Sequence, residues 1–408
     1  MTIVKHHPEE FALLGATPTY ADPVPVGQLY FPTRERFHHD MRQLFDSGWF
    51  TNHGPRSQQL EARLADLFGV DHVIVVTNAT LGLAMVAVAL GLHGNVVVPS
   101  FTFAASAQAI TWAGVTPRFC DADPVTHQVT ADTVAAAIDT DTSAVLAVNL
   151  WGGTCEPQKI CDVADEHGLP VFFDSAHGVG VQVDGRALGS QGIAQVFSFH
   201  ATKILSAGEG GCICTNDGHL AGRLRNIRSS YGAGSAVPVP VTSNGRFSEA
   251  QAVLALASLD DLPNRIAHNQ HIWQLYRGAF EDVPGVHLVD PAGADRSNYQ
   301  YAVVEVDAEP YGLGRDELVN LLRAEGILAR RYFYPGVHRL PPYRDQDTFR
   351  RPLLPGTDQL TRTVLQLPIG ALVSDEVAET IGALVADAHD MAPALRIPSE
   401  PSSTRKVG

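Results

Sequence analysis

From residue 71 onward the chain repeats one pattern: a short, continuously apolar run, a few small or hydroxyl-bearing residues, then a longer helical stripe. Residues 73–76 (Val-Ile-Val-Val) predict a strand, and the Ala/Leu/Val-rich stretch behind Thr77-Asn78-Ala79-Thr80 predicts a helix ending at Leu90. Further strands follow at 95–99, 117–121, 144–150 and 170–174, separated by helical patterns at 102–112, 130–138 and 158–167. Runs that are apolar at every position, not every second one, mark strands covered on both faces. The pattern therefore predicts an α/β fold with a mainly parallel sheet between helices. Ahead of it, residues 34–47 and 56–68 read as helices, the second with Leu60, Leu64 and Leu67 on one stripe.

Beyond the fifth strand, the apolar runs around Val196-Phe197 and Cys212-Ile213-Cys214 enclose a glycine-bearing loop that contains Lys203, and the stretch reads as strand, tight loop, strand. Helices at 220–229 and 248–261, with a flexible piece at 232–241 between them, complete a large domain expected over residues 1–262. A smaller C-terminal α/β domain is expected over 263–391, with a strand at 299–306, a helix at 315–325 and a last helix at 375–388 that Ser374 would cap. The end, 392–408, is rich in Pro, Ser and charge and is expected to fray.

Composition narrows the function classes. The 408 residues suit two domains, and 45% hydrophobic with 18% charged residues permits a large core. A formal net charge of −15 argues against a nucleic-acid partner, which needs basic patches, but leaves room for a phosphorylated small molecule held by a few local donors. The start of the chain has no signal-peptide pattern, and no apolar segment of about twenty residues is available to span a membrane. The five cysteines (Cys120, Cys155, Cys161, Cys212, Cys214) lack zinc-ligand spacing and read as small buried residues in a reducing compartment. The expectation is a soluble cytoplasmic protein with no metal.

In open sheets of this kind, ligands sit beyond the carboxyl ends of the strands. Thr77-Asn78-Ala79-Thr80 opens a helix whose free N–H groups could hold a phosphate, or it is an ordinary N-cap. Asp174 ends a buried apolar strand, where a carboxylate needs a cation or a strong donor. Phe103, after the second strand, could lie on a planar ring or belong to the core. Lys203 offers an amine that, once deprotonated, attacks a carbonyl. Phosphate cradle, ring-stacking aromatic, carboxylate for a pyridinium and imine-forming lysine, in that chain order, fit pyridoxal 5′-phosphate (PLP).

Here the residues resemble a family. Gly54-Pro55, Thr77 to Thr80, Pro99-Ser100-Phe101-Thr102-Phe103, Asp174-Ser175-Ala176-His177, Ser198-Phe199-His200-Ala201-Thr202-Lys203 and Phe247 to Ala252 are similar to the DegT/StrS sugar aminotransferases of PLP fold type I, over about residues 48–388. The resemblance implies a seven-stranded sheet in the large domain and PLP held covalently on Lys203, with pyridoxamine 5′-phosphate as the form of the other half-reaction. It implies that Asp174 pairs with the pyridine nitrogen, that Phe103 stacks on the ring, and that His177 lies near the cofactor's O3′ or ring face. Asn78, Ala79, Thr80 and Ser198 would hold the phosphate. Asn244 would reach the phosphate of a partner subunit, which implies a homodimer with shared active sites. Around Asn244 the family often has Tyr-Asn-Tyr, and this chain has Ser243-Asn244-Gly245. Arg330, Arg331, Tyr332 and His338 match the segment near the substrate mouth, and the same run also reads as a charged strand end packed by its aromatics.

The implied activity moves an amino group from glutamate or glutamine to a keto-sugar, most of all a nucleotide-linked 3- or 4-keto-6-deoxyhexose. Relatives also aminate keto-inositols on the way to aminoglycosides, and others dehydrate sugars. The dehydratases that use the cofactor alone carry His where this chain has Lys203, and the cysteines lack an iron–sulfur spacing. A non-catalytic member would lack the lysine or the aspartate, and both are present.

Overall fold

The computed structural model describes residues 2–28, 31–232, 237–345 and 353–396. Strands β1 (His72–Val76), β2 (Asn95–Pro99), β3 (Thr116–Cys120), β4 (Thr142–Val148) and β5 (Val171–Asp174) form in the order the apolar runs predict. The two-residue strands β6 (Gln182–Val183) and β7 (Arg186–Ala187) pair with each other, and β8 (Ala194–Ser198) and β9 (Gly211–Thr215) enclose the lysine loop. The seven-stranded sheet runs β1-β9-β8-β5-β4-β2-β3. Neighbours from β8 to β3 pair in parallel, and β9 runs antiparallel to both β1 and β8.

The continuous apolar runs are explained by burial on both faces. Ile74 and Val76 face the helices Ala79–Leu90 and Gly218–Ser229, whereas Val73 and Val75 face Pro55–Phe68 and Glu249–Asp260. Gly82 lets the helix Ala79–Leu90 lie close on the sheet, since a Cβ there would come within 3.0 Å of Val196 Cγ1. The core below β4 and β5 is closed by Pro157–Glu166 through Ile160 and Ala164.

A second core surrounds the antiparallel sheet β10 (Val286–Leu288), β11 (Ala302–Val306) and β12 (Val364–Leu367), packed by the helices Arg315–Ala324 and Asp375–Asp390. The division expected at 262/263 falls one residue inside the helix Leu262–Phe280, with Pro263 in its first turn, where a missing N–H costs nothing. Leu262 and Ile266 of this helix pack in the large domain's core, while Trp273, Tyr276 and Phe280 pack in the second. The N-terminal segment, expected with the large sheet, sends Phe11 and Val24 into the second core. At the other end, Ala392–Leu395 is helical and buries Ala392 and Leu395 in that core, so the expected fraying does not begin at 392. Residues 397–408 and 233–236 lie outside the described residues. Between the two sheets sits an aromatic junction of Phe101, Trp151, Tyr301 and Phe333.

Candidate active site

A cavity of about 280 Å³ opens beyond the carboxyl ends of β1, β4, β5 and β8. Its walls hold Asn78, Ala79, Thr80, Phe103, Asp174, His177, Ser198 and Lys203 from the large domain, and Tyr301, Arg330 and Tyr332 from the segments around the second sheet. A wider groove of about 700 Å³ runs beside edge strand β3, and its walls contain no lysine.

At one end of the cavity the helix Ala79–Leu90 begins. Asn78 caps it, its side-chain oxygen accepting the Leu81 N–H at 2.8 Å. The N–H groups of Ala79 and Thr80 stand in the first turn, where no helical carbonyl can reach them. Strand β9 passes this turn so closely that a Cβ on Gly211 would lie 2.9 Å from Ala79 N and 2.6 Å from the Phe197 carbonyl oxygen. Ser198, buried at the end of β8, completes the wall here.

At the opposite end Asp174 is buried and accepts from the Ser106 hydroxyl at 2.7 Å and the Ala176 N–H at 3.1 Å. Thr102 supports Ser106 at 2.9 Å. Burial pushes the Asp174 carboxyl above its ordinary value, against the opposing pull of these two donors and of Lys203. A carboxylate held this way is poised for a cation delivered by a ligand. Burial and the neighbouring Lys203 charge hold the His177 imidazole well below its usual value, so it is neutral. Lys203 lines the same cavity and donates from Nζ to the Tyr301 hydroxyl at 3.2 Å. Free N–H groups at a helix start, a buried carboxylate and an amine on one cavity are the donor set that a phosphorylated pyridine aldehyde would require.

A model of the DegT/DnrJ/EryC1/StrS aminotransferase family matches residues 32–386. The chain belongs to this family. Its similarity to a dTDP-4-amino-4,6-dideoxy-D-glucose transaminase of Shigella dysenteriae is 31% identity, covering 88% of this chain and 97% of that one. GDP-perosamine synthase of Caulobacter vibrioides is 33% identical, over 74% of this chain and 82% of the relative. Among solved structures, DesI in the presence of its TDP-sugar product superposes with a TM-score of 0.90 at 40% identity, covering 94% of this chain and 97% of DesI. The protein is a PLP-dependent transaminase.

Within the aminotransferase, the expected residues separate into two groups. Asn78, Ala79, Thr80, Phe103, Asp174, His177, Ser198, Lys203, Arg330 and Tyr332 share the cavity. Phe103 stands 55% exposed at its rim, edge-on to Tyr332 at 6.5 Å. Asn244 is exposed and outside the cavity of its own chain. Arg331 turns away, pairing with Asp316 at 3.4 Å and lying 5.4 Å from the Tyr334 ring. His338 is a structural clasp: its Nδ1 and the Ser100 hydroxyl are 2.6 Å apart, its backbone N–H reaches the same hydroxyl at 3.1 Å, and it does not line the cavity.

Sequence reasoning missed Tyr301, Ser106 and Trp151. Tyr301 carries the lysine's hydrogen bond, Ser106 holds Asp174, and Trp151 stacks on His177 with centroids 5.7 Å apart. Ser106 had a readable signal: it is a hydroxyl residue four positions after Thr102, in the first turn of the helix behind the second strand. Tyr301 had none, because its approach to Lys203 depends on how the second sheet docks.

Proposed function

We propose that this transaminase moves an amino group from L-glutamate or L-glutamine to a nucleotide-linked 3- or 4-keto-6-deoxyhexose. The observation that carries the reading is the convergence of Lys203, Asp174 and the start of the helix Ala79–Leu90 on one cavity, with Arg330 in its wall. The relatives named for nucleotide-linked amino sugars supply the substrate class. When bound, PLP supplies an aldehyde for amine exchange and an electron-withdrawing ring.

The chain's own residues do the rest. Lys203 Nζ would hold the cofactor covalently at rest and, once an incoming amine has displaced it, would move a proton between the substrate carbon that bears the nitrogen and the carbon that was the cofactor's aldehyde. The Tyr301 hydroxyl orients that amine. Asp174, steadied by Ser106, would hold the ring nitrogen and favour its protonated form. Ala79, Thr80 and Ser198 would hold the phosphate, in the pyridoxal and the pyridoxamine form alike. The neutral His177 donates to the ring oxygen. The Arg330 guanidinium meets the substrate diphosphate, with Tyr332 beside it.

The working form in this reading is a homodimer, with Asn244 offered to the partner's phosphate; its exposure and its place outside the cavity suit that role. Five unpaired cysteines suit the reducing cytoplasm, and no helix among the described residues is long and apolar enough to cross a membrane. The test is a panel of nucleotide-linked keto-sugars and free keto-inositols with glutamate or glutamine, read by mass spectrometry. Replacement of the keto oxygen by an amine on a nucleotide sugar is the expected product. Amination of keto-inositols alone, loss of water without amine gain, or full turnover by Lys203→Ala would overturn it.

A further inference from the structure

Behind the cavity's His177 and Tyr301 runs a polar chain that the transamination reading leaves without a task. Trp151 follows β4 and, with φ 64°, turns its indole back against the site. The ring stacks on His177 on one side and on Phe333 on the other, with centroids 5.7 and 5.1 Å away and planes within 21° and 12°. It also meets Tyr301 edge-on at 5.8 Å. Tyr301 in turn lies edge-on to His177 at 4.7 Å and receives the Lys203 amine at 3.2 Å. One indole thus touches both groups that border the lysine.

The hydrogen bonds have a direction. The Trp151 backbone N–H donates to His177 Nδ1 at 3.4 Å, so this nitrogen is the acceptor and the ring proton sits on Nε2. The Trp151 indole N–H can only donate, and it donates to His127 Nδ1 at 3.2 Å. His127 therefore carries its own proton on Nε2, 2.9 Å from the Glu305 carboxylate. His127 is 1% exposed, so the pair is shielded at the histidine end, while the Glu305 side chain keeps 28% exposure. His127 and Trp151 belong to the large domain and Glu305 to β11, so the chain of bonds also ties the two cores at the junction beside the cavity.

We propose that Trp151, anchored by His127 and Glu305, is a positioning residue that fixes His177 as a hydrogen-bond donor through Nε2 into the cavity and braces Tyr301 against Lys203. The inference rests on the PLP reading above and names how that site is held in register. The ligand feature it serves is an oxygen acceptor on the bound ring, which the Nε2–H tautomer meets and the other tautomer cannot. The charged group facing both His177 and Tyr301 is Lys203, with Asp174 on the same cavity wall and Glu305 at the far end of the chain through Trp151 and His127.

The experiment uses the holoenzyme reconstituted with pyridoxal phosphate. Trp151→Phe keeps an aromatic stack and loses the indole N–H; Glu305→Leu removes the far anchor and Glu305→Gln restores an acceptor. Each is titrated with pH while the visible band of the lysine-bound cofactor is followed, and kcat and KM are measured with a keto-sugar that the wild type accepts. Trp151→Phe and Glu305→Leu are expected to bind the cofactor, to move the midpoint of the visible band by about half a pH unit or more, and to lower kcat by about tenfold with little change in KM; Glu305→Gln is expected to behave as wild type. An unchanged midpoint and kcat in both Trp151→Phe and Glu305→Leu overturns the proposal, as does Glu305→Gln matching Glu305→Leu. If Trp151→Phe does not fold, the two Glu305 variants, altered at the partly exposed end, decide alone. Absence of a visible band in the wild type would count against the PLP reading itself.

Discussion

Tyr301→Phe removes one oxygen atom from the site and little else. The ring's contacts with His177 at 4.7 Å and Trp151 at 5.8 Å do not depend on the hydroxyl. What is lost is the acceptor for Lys203 Nζ at 3.2 Å, the one polar side-chain partner the amine has among the described residues. A hydrogen bond whose donor gains charge, as this amine does on taking up the substrate proton, contributes roughly 1.5–3 kcal/mol. Were that full amount spent on holding the amine in its working direction, the chemical step would slow by about tenfold to a hundredfold, since about 1.4 kcal/mol is a factor of ten. The bond is made to the lysine and not to the substrate, so kcat should bear the loss and KM should move little. The assay is a single turnover with glutamate, following the bleaching of the visible band, alongside steady-state kinetics and a melting curve to show that the fold is retained. A single-turnover rate for Tyr301→Phe within about twofold of wild type would refute the idea that this hydroxyl orients the amine.

Two further outcomes follow from the same geometry. Burial raises the Asp174 carboxyl, so in the cofactor-free protein its contribution to stability is present below the ordinary carboxylate range and is lost as the pH rises through the raised value; a ligand cation against Asp174 cancels that loss, so the gain in melting temperature on adding pyridoxal phosphate should be larger near about pH 7.5 than near about pH 5, and that difference should shrink in Asp174→Asn. Arg330→Ala should raise KM for a nucleotide-linked sugar by about tenfold or more, whereas Arg331→Ala, which breaks a partly exposed pair with Asp316 and a contact with the Tyr334 ring, should cost less than about 1 kcal/mol and leave KM in place.

Much of this architecture was legible because burial on two faces leaves a plain mark. Val73 to Val76 are all apolar since alternate side chains enter different cores, and the same holds for Val96, Val97 and Val98. Once the strands are parallel, their carboxyl ends share one edge, and residues far apart in the chain, such as Thr80 and Asp174, meet there. The lysine loop was legible as two strands around a turn, and β8 and β9 pair as antiparallel neighbours. Docking between the two cores left no such mark. Arg330 and Arg331 are adjacent in sequence, yet one faces the cavity and the other a surface carboxylate. His338 has the composition of a ligand-binding residue and is occupied instead by Ser100. Pro263 reads as a boundary, but a proline in the first turn starts a helix as readily as it ends one.

That helix, Leu262–Phe280, bears on how the molecule can move. Nineteen residues of continuous hydrogen-bonded backbone link the large sheet to the small one, with apolar anchors at both ends. A strut of this kind does not flex at a single residue, so it ties the orientation of one sheet to that of the other. It also removes the usual independence of two lobes: loosening either core exposes the anchors of the shared rod, and the protein should lose its tertiary structure in one concerted step.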